Sequence, residues 1–131
     1  YKRQYEYLTK IYNKETGDIV DIWFRVKHIR NRKEVGAGKF EINRMGGVTV
    51  ASYGETGLLT FSRCRDNEQY DKKSGMMVCL QKIIWKHLGH DLYIEEFDSR
   101  FSRDGTIHVV VSKDKSMAYN WLAHPYEGEA V

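Results

Sequence analysis

Alternation of apolar and polar residues with period two dominates the first half of the chain, and a helical period replaces it near the middle. Leu8-Thr9-Lys10-Ile11-Tyr12 alternates, and Asn13-Lys14-Glu15-Thr16-Gly17-Asp18 supplies turn chemistry. Strand-forming residues then resume from Ile19 to Val26, including Trp23 and Phe24, which predicts a β-hairpin. Phe40-Glu41-Ile42 predicts a short strand, and Gly46-Gly47 predicts a break. Val48 to Tyr53 and Leu58 to Cys64, joined by Gly54-Glu55-Thr56-Gly57, predict a second hairpin.

From Asp71 to Leu88 the period lengthens. Met76, Leu80, Ile83, Ile84 and Leu88 recur at helical spacing, with Met77 and Cys79 widening the apolar face. Lys72, Lys73, Gln81, Lys82 and Lys86 fall on the other side, and Gly89 is a natural stop. Asp66, Asn67 or Asp71 is the expected N-cap, and Gly75 suggests close approach of a strand to the first turn. Leu92-Tyr93-Ile94 and Ile107 to Val111 predict a third hairpin, with Asp104-Gly105 as its turn signal. Ser116 is placed to cap a short helix from Met117 to Ala123, ended by Pro125. This order predicts an α+β fold: antiparallel β-hairpins packed on one amphipathic helix, with a short C-terminal helix.

Composition narrows the class. The 131 residues fit a single domain, 1–131, with no Ser- or Pro-rich linker. Hydrophobic content of 41% and aromatic content of 13% exclude a disordered chain. No run approaches the ~20 apolar residues of a membrane helix. The first residues carry no apolar signal stretch and no initiator Met, so a trimmed start and a cytoplasmic location are expected. Cys64 and Cys79 are then expected as buried thiols rather than a disulfide.

The net charge of +3 is unevenly spread. Arg25, Lys27, His28, Arg30, Arg32 and Lys33 occur without an intervening acid, whereas Asp91, Glu95, Glu96 and Asp98 occur without a base. Beyond Val26 neither face of an extended chain looks like core, so the basic run is expected to project into solvent. Guanidinium groups suit phosphate oxygens because their planar fork allows bidentate contact. Gly36-Ala37-Gly38-Lys39 lacks the spacing of a phosphate loop and reads as a flexible turn. With Arg44 it completes one positively charged connection between two hairpins. A solvated loop balanced by the acidic segment would show the same composition. Tyr12 and Tyr53 are candidate stacking partners, while Trp23, Trp85 and Trp121 are assigned to core or interface.

Catalytic signals are weak. His87 and His90 have no further ligand pair, so no metal is expected, and His108 reads as a core histidine. Glu95 and Glu96 would point to opposite faces of one strand. No nucleophile elbow or zinc spacing occurs.

Val48-Thr49-Val50-Ala51, Phe61-Ser62-Arg63-Cys64, Asp66 and the helix opening Tyr70-x-Lys72-Lys73-x-Gly75 together resemble small phage-encoded accessory proteins of the anti-defence type. That resemblance covers less than a third of the chain. It implies inhibition of host defence nucleases or sequestration of nucleotide signals. Met76 stands where an Arg would follow the helix-opening glycine, which weakens a phosphate role at that position.

The chain is therefore expected to be a small non-enzymatic binding protein without a cofactor. It would engage nucleic acid, a nucleotide or a nucleoprotein complex through Arg25, Lys27, Arg30, Arg32, Lys33, Lys39, Arg44 and Tyr53. The alternative is a protein–protein inhibitor of a host defence complex, acting through strand edges or aromatic surface. Either is compatible with a homo-oligomer, and neither involves a membrane.

Overall fold

A computed structural model describes residues 2–54, 56–98, 106–114 and 126–127. The expected first hairpin forms from β1 (Lys2–Asn13) and β2 (Ile19–Ile29), paired antiparallel from Lys2↔Ile29 to Tyr12↔Ile19. Both strands run longer than the hydrophobic pattern marks them. Two short strands, β3 (Arg32–Gly36) and β4 (Lys39–Ile42), follow and, among the described residues, pair only with each other. β5 (Met45–Tyr53) and β6 (Leu59–Gln69) form the next hairpin, and the Gly46-Gly47 break is a register shift inside β5.

The helix α1 (Lys72–His87) matches its expected span closely. Asp71 caps it: its carboxylate accepts from the Lys73 amide at 3.1 Å and from the Ser74 hydroxyl at 2.7 Å. Such a cap contributes about 1 kcal/mol. The Leu88 and Gly89 amides close the other end on the Ile84 carbonyl. β7 (Tyr93–Asp98) and β8 (Thr106–Ser112) then pair antiparallel, as their composition predicts. A two-residue strand, β9 (Tyr126–Glu127), completes the described chain.

The assembly differs from the expected α+β packing of separate hairpins. One curled sheet in the order β7-β8-β1-β2-β5-β6-β9 takes every described strand except β3 and β4, and the described residues are mostly β with one helix. The joint that local pattern could not supply is β1 with β8, a parallel pairing of residues far apart in sequence. The expected helix from Met117 to Ala123 and the Asp104-Gly105 turn lie outside the described residues. The described C-terminal element is the strand β9.

The curl explains how α1 is buried. Its Met76, Cys79, Leu80, Ile83 and Ile84 meet Ile11, Ile22, Phe24, Val26, Ile107, Val109 and Val111 from the sheet. Gln81 and Lys82, read from sequence as solvent-facing, are buried as well. Gln81 donates to the Leu92 carbonyl and accepts from the Ile94 amide, each at 2.8 Å, tying the helix to the start of β7. Lys82 donates to the Phe61 carbonyl at 2.6 Å. Gly75 permits the close approach expected of it: a Cβ there would collide with the Thr49 hydroxyl. Cys64 and Cys79 are buried thiols, and burial pushes Cys79 up to about 12.

Candidate functional site

The two faces of the sheet have different chemistry, and β2 displays both. Ile22, Phe24, Val26 and His28 are buried against the helix side, while Asp21, Trp23, Arg25 and Lys27 alternate outward. His28 corrects the expectation that nothing beyond Val26 is core. Its Nδ1 lies 2.7 Å from the Tyr70 hydroxyl, which is 2.6 Å from Thr49 Oγ1. Burial, with Lys72 and Arg30 nearby, lowers His28 to about 4. Burial also raises Tyr70 to about 12, so both groups are neutral at ordinary pH.

On β6 the usual polarity is inverted. Thr60, Ser62 and Cys64 face inward and are buried, whereas Leu59 and Phe61 face outward with 55% and 43% of their surface exposed. The inner positions are small because the helix passes close: Thr60 Oγ1 donates to the Cys79 carbonyl at 3.2 Å. No such constraint acts on the outer positions. Apolar side chains there are not satisfied by the fold.

Register assembles these outer residues into one patch. Lys27 on β2 lies opposite Val50 on β5, which lies opposite Phe61 on β6. One row along, Arg25 aligns with Ser52 and Leu59, and on the other side Ile29 aligns with Val48 and Arg63. Trp23, 49% exposed, follows Arg25 on the same face of β2. Arg25 has Glu6 at 3.7 Å, a weak exposed pair. Among the described residues, Lys27 and Arg63 make no ion pair, so aromatic and basic groups stand interleaved on an open surface.

The sequence-derived site residues distribute as follows. Arg25 and Lys27 belong to this patch. Arg32, Lys33 and Lys39 sit on the exposed β3–β4 ribbon, with Lys33 paired to Glu41 at 3.3 Å. Arg44 is exposed where that ribbon returns to the sheet. Arg30 lies over the Tyr70 ring, its guanidinium carbon 4.6 Å from the ring centre. Tyr53 is not brought together with them: it lies on the inner side and stacks on His87 with ring centres 4.5 Å apart. Sequence reading missed Trp23, Phe61 and Arg63. For Phe61 and Arg63 the signal was the alternation in Leu59 to Cys64, misleading there because the apolar positions face out; Trp23 reads from sequence as core or interface.

The acidic segment does not gather into a catalytic set. Glu95 is held by Lys14 at 3.0 Å, and that contact lowers its carboxyl and raises the lysine. Glu96, Asp98 and His108 instead border an outer cleft of about 430 Å³ with Lys10, Tyr12 and Ile19. His108 is exposed there, contrary to its core reading. No group of His, Cys, Asp and Glu suited to a metal ion occurs among the described residues. Nor is any described helix long and apolar enough to cross a membrane.

Comparison with protein-family models, curated proteins and solved structures finds no match for this chain. What defines it is its own architecture: a curled sheet closed on one face by a helix, with an aromatic and basic patch open on the other.

Proposed function

We propose that the chain is a non-enzymatic binding protein of the cytoplasm that holds single-stranded nucleic acid on the outer face of β2, β5 and β6. The supporting observation is the inverted polarity of β6 beside the basic residues of β2. Trp23 and Phe61 offer flat apolar rings on which bases stack, and stacking of this kind tolerates any sequence. Arg25, Lys27 and Arg63 neutralise the phosphates that pass between them. Alternation along the strands sets the arrangement, since every second residue points the same way.

Fluorescence anisotropy with a labelled single-stranded oligonucleotide tests this at several salt concentrations. Neutralising three phosphates gives a slope of about −2 in log affinity against log salt, because about 0.7 counterions leave per contact. Absence of binding, or an affinity indifferent to salt, refutes it.

A second reading draws on the same exposed surface. Trp and Arg are also the residues that anchor protein interfaces, and the apolar exposure of Ile19 at 67% and Leu59 at 55% suits a protein partner. On that reading the chain inhibits a host defence complex, in the manner of phage-encoded accessory proteins. Its partner would stay bound after nuclease treatment and in high salt.

A further inference from the structure

The β3–β4 ribbon stands apart from everything the sheet and helix require. Each of its strand residues is exposed, and it pairs with no other described strand. A lone two-stranded ribbon gains little stability in water, yet this one carries Val35, Phe40 and Ile42 with 54%, 61% and 43% exposure. Between Arg30 and Arg44 the chain has five basic residues and two acidic ones, a net +3 equal to that of the whole protein.

The base of the ribbon is built to aim it. β2 feeds directly into β3 and β4 into β5, so the ribbon extends the central pair of the sheet. The Asn43 amide donates to the Asn31 carbonyl at 2.7 Å, and the Asn31 side chain donates to the Met45 carbonyl at 3.3 Å. Gly46 has φ +71°, and a Cβ there would lie 2.5 Å from the Asn31 side-chain nitrogen. A side chain at that position would therefore disturb the joint.

We propose that the β3–β4 ribbon enters the major groove of B-form DNA, so that the ligand is a duplex with a single-stranded tail. The tail lies on the outer sheet face, and the ribbon grips the adjoining duplex. This rests on the single-strand reading above and names its substrate class. The B-DNA major groove is ~12 Å wide and admits a two-stranded ribbon. The major groove of an RNA helix is too narrow for side chains to read. Five residues of β3, at ~3.3 Å each, reach ~17 Å from the sheet. Cross-strand pairs Arg32↔Ile42 and Glu34↔Phe40 put Arg32, Glu34, Phe40 and Ile42 on one face, where the Glu34 carboxylate accepts from the Gly38 amide at 3.3 Å. There the apolar side chains can meet thymine methyl groups while Arg32 reaches phosphate or guanine.

The full chain is titrated with three labelled DNA probes: a single strand, a blunt duplex, and the duplex carrying a single-stranded tail. The tailed duplex is expected to bind about tenfold tighter than the single strand. A variant with Phe40→Ser, Ile42→Ser and Arg32→Gln should lose that preference while keeping its affinity for the single strand. Dimethyl sulfate probing of the wild-type complex should show guanine N7 protection in the duplex beside the tail, a readout independent of any variant. Equal affinity for tailed duplex and single strand, or no N7 protection, overturns the ribbon's role and leaves the sheet-face reading intact. Tight binding of duplex with none of single strand retains the ribbon and removes the sheet face. Failure of all three probes overturns both and turns the ribbon's apolar face towards a protein partner.

Discussion

Trp23 and Phe24 are neighbours in sequence and opposites in environment. Phe24 is fully buried between the sheet and α1, while Trp23 is half-exposed on the outer face with Arg25 and Lys27. The same division runs across β5 and β6, where inner positions are small or apolar and fitted to the helix. The outer positions of β6 carry Leu59, Phe61 and Arg63, exposed side chains that nothing in the fold demands, while those of β5 are the half-buried Val48, Val50 and Ser52. The contrast separates what residues do for folding from what is left for a partner. Substitutions on the two faces should therefore fail in different assays.

The largest effect is expected on the inner face. Phe24→Ala removes a fully buried ring and should cost about 4 kcal/mol in urea unfolding. Trp23→Ala, one residue away, should change stability by no more than about 1 kcal/mol, as partly exposed positions do. If the two substitutions cost the same, the distinction between the faces collapses.

Acid comes next, and it too acts on the inner face. His28 has an ordinary value of 6.5 and is lowered to about 4 by burial, then by Lys72 and Arg30. Between those values the unfolded chain binds a proton that the folded chain refuses, so stability falls as pH drops through that window. The full difference is at most about 3 kcal/mol, since a tenfold change in proton affinity corresponds to about 1.4 kcal/mol and solvent at the edge of the site screens part of it. Below about pH 4 this contribution levels off. His28→Gln should flatten the pH dependence relative to wild type in parallel denaturant titrations. An unchanged profile would show that His28 is not held neutral by its site.

How far the sequence revealed this division depends on the length scale of each cause. α1 was legible because its cap, its apolar spacing and its terminal glycine are all local. The first and second hairpins were legible for the same reason. The curl of the sheet was not, because the β1–β8 pairing joins distant residues with no local signature. Gln81 and Lys82 were misread for a like reason: their backbone partners, at the start of β7 and on β6, lie outside the helix's own periodicity. His28 escaped because a basic run conceals a residue whose partner, Tyr70, arrives from the far end of β6. Arg25 and Lys27 of the patch were visible in composition, though Arg63 was not. The aromatic half of the patch was not visible either, because exposed Phe61 alternating with buried Ser62 reverses the rule by which strands are read.

Smaller effects should appear only when a ligand is present. Trp23→Ala and Phe61→Ala should each weaken single-strand binding by about tenfold, within the ~1–3 kcal/mol typical of a base–aromatic stack. Their thermal midpoints should stay close to wild type. A loss of affinity that tracks a loss of stability would assign these rings to folding instead.

The least dramatic prediction discriminates most finely between a nucleic-acid surface and a protein interface. Lys27 and Arg63 flank Phe61 in the sheet register and make no ion pair among the described residues. Lys27→Gln and Arg63→Gln should each shift the salt slope of single-strand binding by about 0.7 towards zero, with stability changed by under about 0.5 kcal/mol. Arg25→Gln should shift it less, because Glu6 already draws on that charge at 3.7 Å. A protein interface has no reason to follow this order, since its charged rim alters association without a fixed count of released ions. Equal slopes for all three variants and the wild type would mean that no phosphate is neutralised between β2 and β6, and the outer face would then belong to a protein partner.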